Sequence, residues 1–312
     1  MKVGLPKGLL YYRYHPFFKT FFEEIGAELI ISADTNKVVM DAGIRCCTSE
    51  ACLPIKIFHG HVDSIKNQCD LMVVPRIMKI TNNEYICPHL CSLPEMVVHS
   101  MHNLPQITYQ SLYFNSQKQL YHWAKDVGKL ITPKKSVVEN AFYSAMVRQL
   151  NHKKRMNQTQ YRFKILLLGH GYNIYDSYVN MNIIKKLNEL DIGVISSDFF
   201  GDKILNNYIA MLPRKPFWYY YRQAYGSAAY LTQQKEIDGI IFISCFSCGI
   251  DAVISEAIRE DMSNVPLLLV KLDEHSGDVG MDTRLEAFSD MLKRGKYDEK
   301  EKKNDCYNSA LW

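Results

Sequence analysis

The residues of this sequence best suited to chemistry are its nine cysteines. An odd number in a chain of this size with the composition expected of a cytosolic protein argues against a disulfide framework and for metal binding or redox chemistry. Three of the nine lie outside the close pairs. Cys69 is interpreted as a small buried hydrophobe. Cys306 lies in a charged tail and is given no role, and Cys46 adjoins a paired cysteine. The other six form three close pairs: Cys47 with Cys52, Cys87 with Cys91, and Cys245 with Cys248.

Each cysteine pair lies next to a predicted helix start, at Pro54, Pro88 and Gly249. The first turn of a helix has free backbone N–H groups and a partial positive charge. Both features lower the pKa of a thiol and favour the thiolate, which is the form that binds metal. The same N–H groups stabilise an electron-rich cluster through hydrogen bonds to sulfur.

Three kinds of thiol site are compatible with these pairs. A structural zinc site takes four ligands, commonly from two short motifs close in sequence, whereas the last pair here lies over 150 residues beyond the second. A redox-active dithiol is an alternative for Cys245 and Cys248, although one Cys-x-x-Cys motif is weak evidence. Iron–sulfur chemistry accommodates dispersed thiolates and more than four ligands, so the spacing favours an iron–sulfur site.

The third pair follows the most clearly defined predicted strand. Residues 240–243 form an apolar run rich in β-branched side chains, which is typical of a strand buried on both faces of a parallel sheet. The run stops at Ser244, the two thiols follow, and an amphipathic helix is predicted over 251–260. Ligands of open α/β sheets bind beyond the carboxyl ends of the strands, so this turn is a predicted binding position.

Strands and helices alternate along the chain, which predicts an α/β fold with two parallel-sheet domains. In the first half we predict strands at 2–4, 27–31, 70–74 and 105–109, and helices at 8–25, 34–42 and 54–66. In the second half we predict strands at 163–168, 193–197, 240–243 and 266–272, helices at 176–190, 217–234, 251–260 and 283–292, and a loop at 198–207. Residues 111–158 are interpreted as helical. The predicted organisation is an N-terminal domain (1–130), a helical connection (131–160), a C-terminal domain (161–295) and a charged tail (296–312).

Composition indicates a globular protein of the cytoplasm. The chain is 47% hydrophobic, yet no run approaches the ~20 apolar residues of a membrane span. Pro6 and Lys7 interrupt the apolar N-terminus, unlike a signal peptide. The net charge is only +4. The basic stretch at 152–155 is interpreted as a solvated helix face, because no aromatic stacking platform accompanies it, so we predict no nucleic-acid partner and no membrane partner.

Other polar residues are weaker candidates. Glu50, inside the first cysteine pair, is a candidate proton donor, or else a carboxylate placed at a helix start. His275 is a candidate for proton transfer, or else a hydrogen-bonded turn histidine. His59 and His61 lie on opposite sides of one predicted helix. Arg76 directly follows a strand and suits either an anion or a carboxylate partner.

Several longer motifs, taken together, are highly specific. They are GLPKGLLYY, EACLPIKIFHGHV, VPRI with YICP, NIYDSYVNMNI, SCFSCGIDAV and LDEHSGDVGMDTRLEAF. Through these motifs the sequence resembles, over roughly residues 1–294, the family related to the 2-hydroxyacyl-CoA dehydratase subunits. Within that family it is most similar to the stand-alone members linked to acyl-CoA dehydratase activases and to double-cubane cluster proteins. The resemblance implies two Rossmann-like domains with an iron–sulfur cluster between them.

The resemblance also implies a set of ligands. Dehydratase subunits hold a 4Fe–4S cluster with three cysteines, and the matching positions are Cys52, Cys87 and Cys245. Double-cubane proteins hold an 8Fe–9S unit with six cysteines, and the additional matching positions are Cys47, Cys91 and Cys248. Because all six are present, the double cubane is favoured over the single cubane. Cys46, beside Cys47, leaves open which of the two is the ligand.

Relatives of this type receive electrons from a separate ATP-hydrolysing, cluster-containing activase of the actin–hexokinase type. This chain has no Walker-A loop, and residues 169–171 are too short for a phosphate cradle. The implied role is to accept a low-potential electron and reduce a small substrate, as a homodimer or beside a related subunit. The alternatives are a dehydratase-like enzyme acting on a 2-hydroxyacyl-CoA with one 4Fe–4S cluster, and a non-enzymatic cluster carrier.

Overall fold

The computed structural model describes residues 1–152, 156–212 and 215–309. Lys153, Lys154 and Arg155 of the predicted basic stretch lie outside the described residues, as does the side chain of Cys306. Within the described part, no helix combines the length and the apolar character needed to cross a lipid bilayer.

The first half of the chain contains parallel strands only. They are β1 (Lys2–Leu5), β2 (Glu28–Ile31), β3 (Leu71–Met72), β4 (Arg76–Lys79), β5 (Gln106–Ile107) and β6 (Ser111–Tyr113). Four of them form a sheet in the order β2-β1-β3-β5, and β4 pairs with β6 in a separate two-stranded sheet.

Seven helices accompany these strands. They are α1 (Tyr11–Glu24), α2 (Lys37–Cys46), α3 (Leu53–Ile65), α4 (Pro88–Cys91), α5 (Leu93–Ser100), α6 (Gln117–Gly128) and α7 (Lys135–Asn151). Helix α2 begins later than the predicted start at residue 34, and its N-cap is Asn36, whose side chain accepts a hydrogen bond from the Val39 N–H. Helix α7 packs on α1 and contributes Phe142 to the N-terminal core.

The second half is also a parallel α/β structure. Its strands are β7 (Phe163–Gly169), β8 (Ile192–Ser196), β9 (Gly239–Cys245) and β10 (Leu267–Leu272), in the order β10-β9-β7-β8. Its helices are α8 (Gly171–Ile174), α9 (Ile183–Glu189), α10 (Asp202–Ile209), α11 (Tyr219–Gln234), α12 (Gly249–Asp261) and α13 (Asp278–Ser309), with a 3₁₀ turn at Ser197–Phe199.

The C-terminal sheet is buried on both faces, as predicted for the run at 240–243. Ile240 and Phe242 belong to one apolar cluster, and Ile241 and Ile243 belong to the cluster on the other face. The alternation follows from the two-residue period of a strand. The predicted α/β fold with parallel sheets in both halves is therefore confirmed.

Several local predictions were wrong. Residues 111–158 are not wholly helical, because they include strand β6 and a break between α6 and α7. The predicted loop at 198–207 contains the start of α10. The predicted helix at 176–190 begins only at Ile183, since Met181 and Asn182 have left-handed backbone angles (φ of 54° and 55°). Helix α13 extends into the charged tail predicted from residue 296, as far as Ser309, which is compatible with that prediction.

The two halves are joined by apolar and polar contacts. Leu53 and Ile57 of α3 belong to the same apolar cluster as the C-terminal strands β7 and β9. Asp176, from the second half, accepts hydrogen bonds from Tyr12 Oη (2.9 Å) and Thr35 Oγ1 (2.5 Å) of the first half. Helix α3 is thus a structural element of both halves.

Candidate functional site

One cysteine of each pair is the residue that immediately precedes a helix. Cys52 precedes α3, Cys87 precedes α4 and Cys248 precedes α12. Pro54 and Pro88 lie in the first two positions of α3 and α4, where a missing backbone N–H leaves no hydrogen bond unmade. The predicted helix starts beside all three cysteine pairs are therefore confirmed.

The remaining paired cysteines lie at the ends of elements. Cys47 directly follows α2, Cys91 is the last residue of α4, and Cys245 is the last residue of β9. Cys245 is the most buried of the described cysteines, with 3% of its surface exposed.

The thiols of the two halves are close enough to interact electrostatically. Cys52 is central, because it interacts with a cysteine of each pair, namely Cys47, Cys87 and Cys245. The remaining links join Cys87 to Cys91 and Cys245 to Cys248. The fold therefore brings together thiols from widely separated parts of the chain.

Cys46 has different surroundings from Cys47. The charged side chains that act on Cys46 are Asp63, Lys66 and Arg45, and Cys46 in turn acts on its neighbour Cys47. Cys47, in contrast, interacts with Cys52.

The segment that leads to the second cysteine pair, Cys87 with Cys91, is held in place by the C-terminal half. The Tyr85 N–H donates to the Phe217 carbonyl, and the Tyr219 N–H donates to the Tyr85 carbonyl, each at 2.9 Å. The Tyr85 ring also stacks on the Phe217 ring, with 4.4 Å between centroids. Close by, Arg222 forms a buried ion pair with Glu84. The turn that leads to Cys87 is thereby fixed against the start of α11.

Burial changes the expected ionisation of the thiols. It raises the pKa of Cys52 to about 11, although the Ile55 N–H acts in the opposite direction. Burial likewise raises the pKa of Cys87, although the backbone N–H groups of His89 and Leu90 lower it. The sequence-based expectation of lowered thiol pKa values was wrong for these cysteines, because desolvation outweighs the helix start. In the metal-free protein they are therefore protonated near neutral pH.

A buried histidine–carboxylate pair adjoins the third cysteine pair. His170 Nε2 lies 3.0 Å from Asp251 Oδ1, and each side chain is 2% exposed. Cys248 Sγ lies 3.9 Å from the same Nε2. Burial lowers the pKa of His170, but the charges and hydrogen bonds of Asp251 and Cys248 together outweigh burial and raise it overall. His170 is therefore held in its protonated form beside Asp251.

The same region contains unsatisfied polar atoms. His170 Nδ1, Asp251 Oδ2 and Asn173 Nδ2 are buried and have no hydrogen-bond partner among the described residues. Asn173 Oδ1 lies 3.6 Å from Cys245 Sγ. Since buried polar groups are almost always paired, these atoms indicate that the region is suited to a further polar or charged group.

Sequence reasoning did not find His170, Asp251 or Asn173 as site residues. His170 directly follows β7, and β7 pairs with β9, whose end carries Cys245. The available signal was the segment at 169–173, which directly follows the strand predicted at 163–168. We considered it only as a phosphate cradle.

The two candidates for proton transfer lie at the surface. Glu50 is exposed and accepts a hydrogen bond from Ser49 Oγ at 2.8 Å. His275 is exposed, and its backbone N–H donates to Asp273 Oδ1 at 2.9 Å. Neither side chain has a hydrogen bond or ion pair with a thiol among the described residues.

The three weaker candidates have structural partners. His59 Nδ1 lies 2.8 Å from the Ile55 carbonyl, and His61 lies between Ser32 Oγ and Thr35 Oγ1, 3.0 Å from each. Arg76 forms an ion pair with Glu95. These arrangements account for His61 and Arg76 without a ligand, whereas His59 Nε2 is buried and has no hydrogen-bond partner among the described residues.

Comparison with known proteins yields a family. No curated protein matches the chain. Among solved structures, the chain is similar to the periplasmic zinc binding protein TroA from Treponema pallidum at 11% identity and a TM-score of 0.24, over 94% of this chain and 95% of that one. A TM-score this low carries no conclusion about fold or function.

A family described as "CoA enzyme activase uncharacterised domain (DUF2229)" matches residues 2–200. The match begins at β1, includes both N-terminal cysteine pairs and extends into the C-terminal sheet as far as the turn after β8. Because it covers well over half of the 312 residues, the chain belongs to this CoA enzyme activase domain family.

Proposed function

We propose that this chain is an iron–sulfur protein that accepts low-potential electrons from an ATP-dependent activase and reduces a small substrate. The observation that carries the proposal is that six thiols drawn from both halves of the chain are near enough for their charges, when they are ionised, to act on one another pair by pair. Membership in a CoA enzyme activase domain family supports a place in that electron-transfer system.

The donor set fits such a group. Cysteine thiolates are the ligands that iron–sulfur clusters require, and six thiols exceed the needs of one tetrahedral zinc ion. Backbone N–H groups at the starts of α3 and α4 act on the sulfur atoms of Cys52 and Cys87. When bound, a cluster supplies one-electron transfer at a potential set by its charge, its hydrogen bonds and its exposure.

The chain's own residues set the environment of this site. The His170–Asp251 pair is close to neutral overall, so it adds little repulsion toward an anionic group. His170 Nδ1 remains available as a hydrogen-bond donor. Lys56, at the start of α3, acts on Cys47 and favours its thiolate.

Six ligands favour an 8Fe–9S double cubane over a 4Fe–4S single cubane. The interaction of Cys47 with Cys52 makes Cys47, rather than Cys46, the proposed ligand. A single cubane bound by Cys52, Cys87 and Cys245 would correspond to a dehydratase-like activity. A cluster that is readily released to an acceptor would correspond to a non-enzymatic carrier.

The proposed electron donor is an ATP-hydrolysing, cluster-containing activase of the actin–hexokinase type. The chain has no Walker-A motif of its own, so ATP hydrolysis is assigned to that partner.

A second candidate is a mononuclear metal site. The ligand atoms of His170, Cys248 and Asp251 lie within 4.8 Å of one another. A nitrogen, a sulfur and an oxygen donor in this arrangement suit zinc, with a fourth position open.

The test is metal and sulfide analysis after anaerobic purification, with Cys91→Ala and Cys248→Ala beside the wild type. A double cubane predicts about eight irons per chain and a loss of iron in both variants. A single cubane predicts about four irons that survive both changes.

Cys69→Ala is the matched control, because Cys69 contacts the Ile65 carbonyl and belongs to none of the pairs. It is expected to retain all of its iron. One zinc per chain without sulfide, lost in Cys248→Ala but not in Cys91→Ala, would replace the iron–sulfur proposal with the mononuclear site.

A further inference from the structure

A cavity of about 480 Å³ lies between the two halves of the molecule. Its walls include the turn after β1, the start of α1, and the segments that follow β7 and β8. In open parallel sheets, the carboxyl ends of the strands are where ligands bind. The volume falls within the range of small-molecule sites.

One cation in the cavity wall lacks a carboxylate partner. Arg13, on α1, lines the cavity and is accessible from it. Its guanidinium lies 5.5 Å from the Tyr14 ring centroid and 5.3 Å from that of Tyr219. Among the described residues it forms no ion pair, whereas Arg222, also close to Tyr219, is paired with both Glu84 and Asp202.

The carboxylates of the cavity wall already have donors. Asp198 accepts a hydrogen bond from Tyr175 Oη at 2.9 Å, and Asp202 forms an ion pair with Arg222 at 2.7 Å. An arginine offers a planar set of N–H donors that matches a carboxylate. Arg13 is therefore the cation of the cavity wall that has no carboxylate partner among the described residues.

The remaining walls combine apolar and aromatic side chains with polar ones. They include Leu9, Leu10, Phe114 and Phe200, and the Phe114 ring stacks on that of Tyr14 with 3.6 Å between centroids. The apolar part of the wall favours a ligand with an apolar body over a fully hydrated ion such as phosphate.

The cavity adjoins the thiols through Tyr172. This tyrosine lines the cavity, its ring stacks on His170 at 4.9 Å, and it interacts electrostatically with Cys52 and Cys248. Tyr172 thus lies between the cavity and His170, whose Nε2 is 3.9 Å from Cys248 Sγ.

We propose that this cavity binds a small organic carboxylate with an apolar body, and that Arg13 pairs with its carboxylate group. As the substrate site of the proposed reductase, the cavity depends on the proposed function. Binding itself requires only the folded chain.

The test is isothermal titration calorimetry of the full chain with phenylacetate, butyrate and their neutral amides, and with inorganic phosphate. We expect at least one of the two carboxylates to bind, about tenfold or more tightly than its amide, because a charge-assisted pair is lost. Arg13→Gln should weaken that binding to the level of the amide, and Arg13→Lys should weaken it less. Phosphate should bind more weakly than the carboxylate.

Arg259→Gln is the control, because Arg259 is exposed on α12 and paired with Glu256. It should bind like the wild type. The comparison of acid with amide on the wild-type protein keeps the test valid if Arg13→Gln fails to fold. Equal affinity for acid and amide, tighter binding of phosphate, or no binding of either carboxylate at about 10 mM would overturn the proposal.

Cys52→Ala separates this inference from the proposed function. It should lose iron yet bind the carboxylate as the wild type does, because Cys52 does not line the cavity. Carboxylate binding by a protein that never holds iron would refute the iron–sulfur proposal and leave the cavity assignment intact. A protein that holds its full iron content but binds no carboxylate would refute the cavity assignment and leave the iron–sulfur proposal intact.

Discussion

At the scale of single residues, burial decides the ionisation of the titratable groups in this molecule. Burial holds several cysteine thiols in the protonated form despite their positions at helix starts. It also lowers the pKa of His61 to about 4, with a further contribution from the charge of Lys7. The contrast is His170, whose buried carboxylate partner keeps it charged.

His61 gives a pH-dependent prediction. Its pKa is lowered from 6.5 to about 4 in the folded state, so the unfolded chain takes up a proton that the folded chain does not. The contribution to stability is fully present above pH 6.5 and is lost as the pH falls toward 4, by at most about 3 kcal/mol. Urea denaturation of the metal-free protein between pH 7 and 4.5 measures this loss.

His61→Gln should reduce that acid-side loss. His122→Gln, at an exposed position on α6, should leave the pH dependence of the wild type unchanged. Identical slopes for the wild type and His61→Gln would show that His61 does not titrate as described.

At the scale of elements, the contact between α2 and α3 fixes the first cysteine pair. Gly43 of α2 and Gly60 of α3 face one another across the contact, and a Cβ on Gly43 would collide with the Lys56 carbonyl. The close approach of these helices therefore requires glycine. Because Cys47 follows α2 and Cys52 precedes α3, the same contact sets the distance between their thiols.

Gly43→Ala should destabilise the protein by about 3 kcal/mol or more, because a backbone carbonyl has to move. Chemical denaturation measures the loss. Gly280→Ala is the matched control, since a Cβ there meets nothing within 4 Å and the residue is also helical. It should change stability by about 1 kcal/mol or less, in the stabilising direction. Equal effects of the two substitutions would show that α2 and α3 are not closely packed at Gly43.

At the scale of the whole molecule, α3 connects the two halves through an ion pair as well as through its apolar side chains. Lys56 Nζ lies 2.6 Å from Glu274 Oε1, in the turn after β10. The two side chains differ in burial, since that of Lys56 is 4% exposed and that of Glu274 is 22% exposed. Removing the charge of Glu274 and removing the charge of Lys56 should therefore reduce the stability of the protein by different amounts.

Glu274→Gln should cost about 3 kcal/mol, because it leaves a buried ammonium without its counter-charge. Lys56→Met should cost less, because it removes the buried charge and the remaining carboxylate can reach water. The double variant should be more stable than Glu274→Gln alone. Urea unfolding of the three variants provides the comparison, and a larger loss in Lys56→Met than in Glu274→Gln would contradict this account.

Much of this architecture was predictable from sequence, because buried parallel strands have continuous apolar runs. The central strands β7 and β9 were predicted within a few residues. The β4–β6 sheet was missed, because its strands are short and pair only through contacts distant in sequence. The break before α9 was missed because left-handed angles at Met181 and Asn182 leave no clear trace in an apolar–polar pattern.

The candidate site shows the same division. The cysteine pairs and the helix starts beside them were visible, because proline and glycine mark local structure. The ion pair of His170 with Asp251 was not visible, because it depends on the pairing of β7 with β9. The cation at Arg13 was also missed, since its sequence neighbourhood resembles the surface of an ordinary amphipathic helix.

Three different helices each begin directly after a cysteine, namely Cys52, Cys87 and Cys248. This arrangement affects the stability of the fold when the three thiols are bonded to one group. A single group bonded to all three would act as a cross-link between distant parts of the chain and would close very long loops in the unfolded state. Restricting the unfolded chain in this way favours the folded one, as a disulfide does. Occupancy of the thiols would then be readable as a rise in melting temperature, without any assay of catalysis.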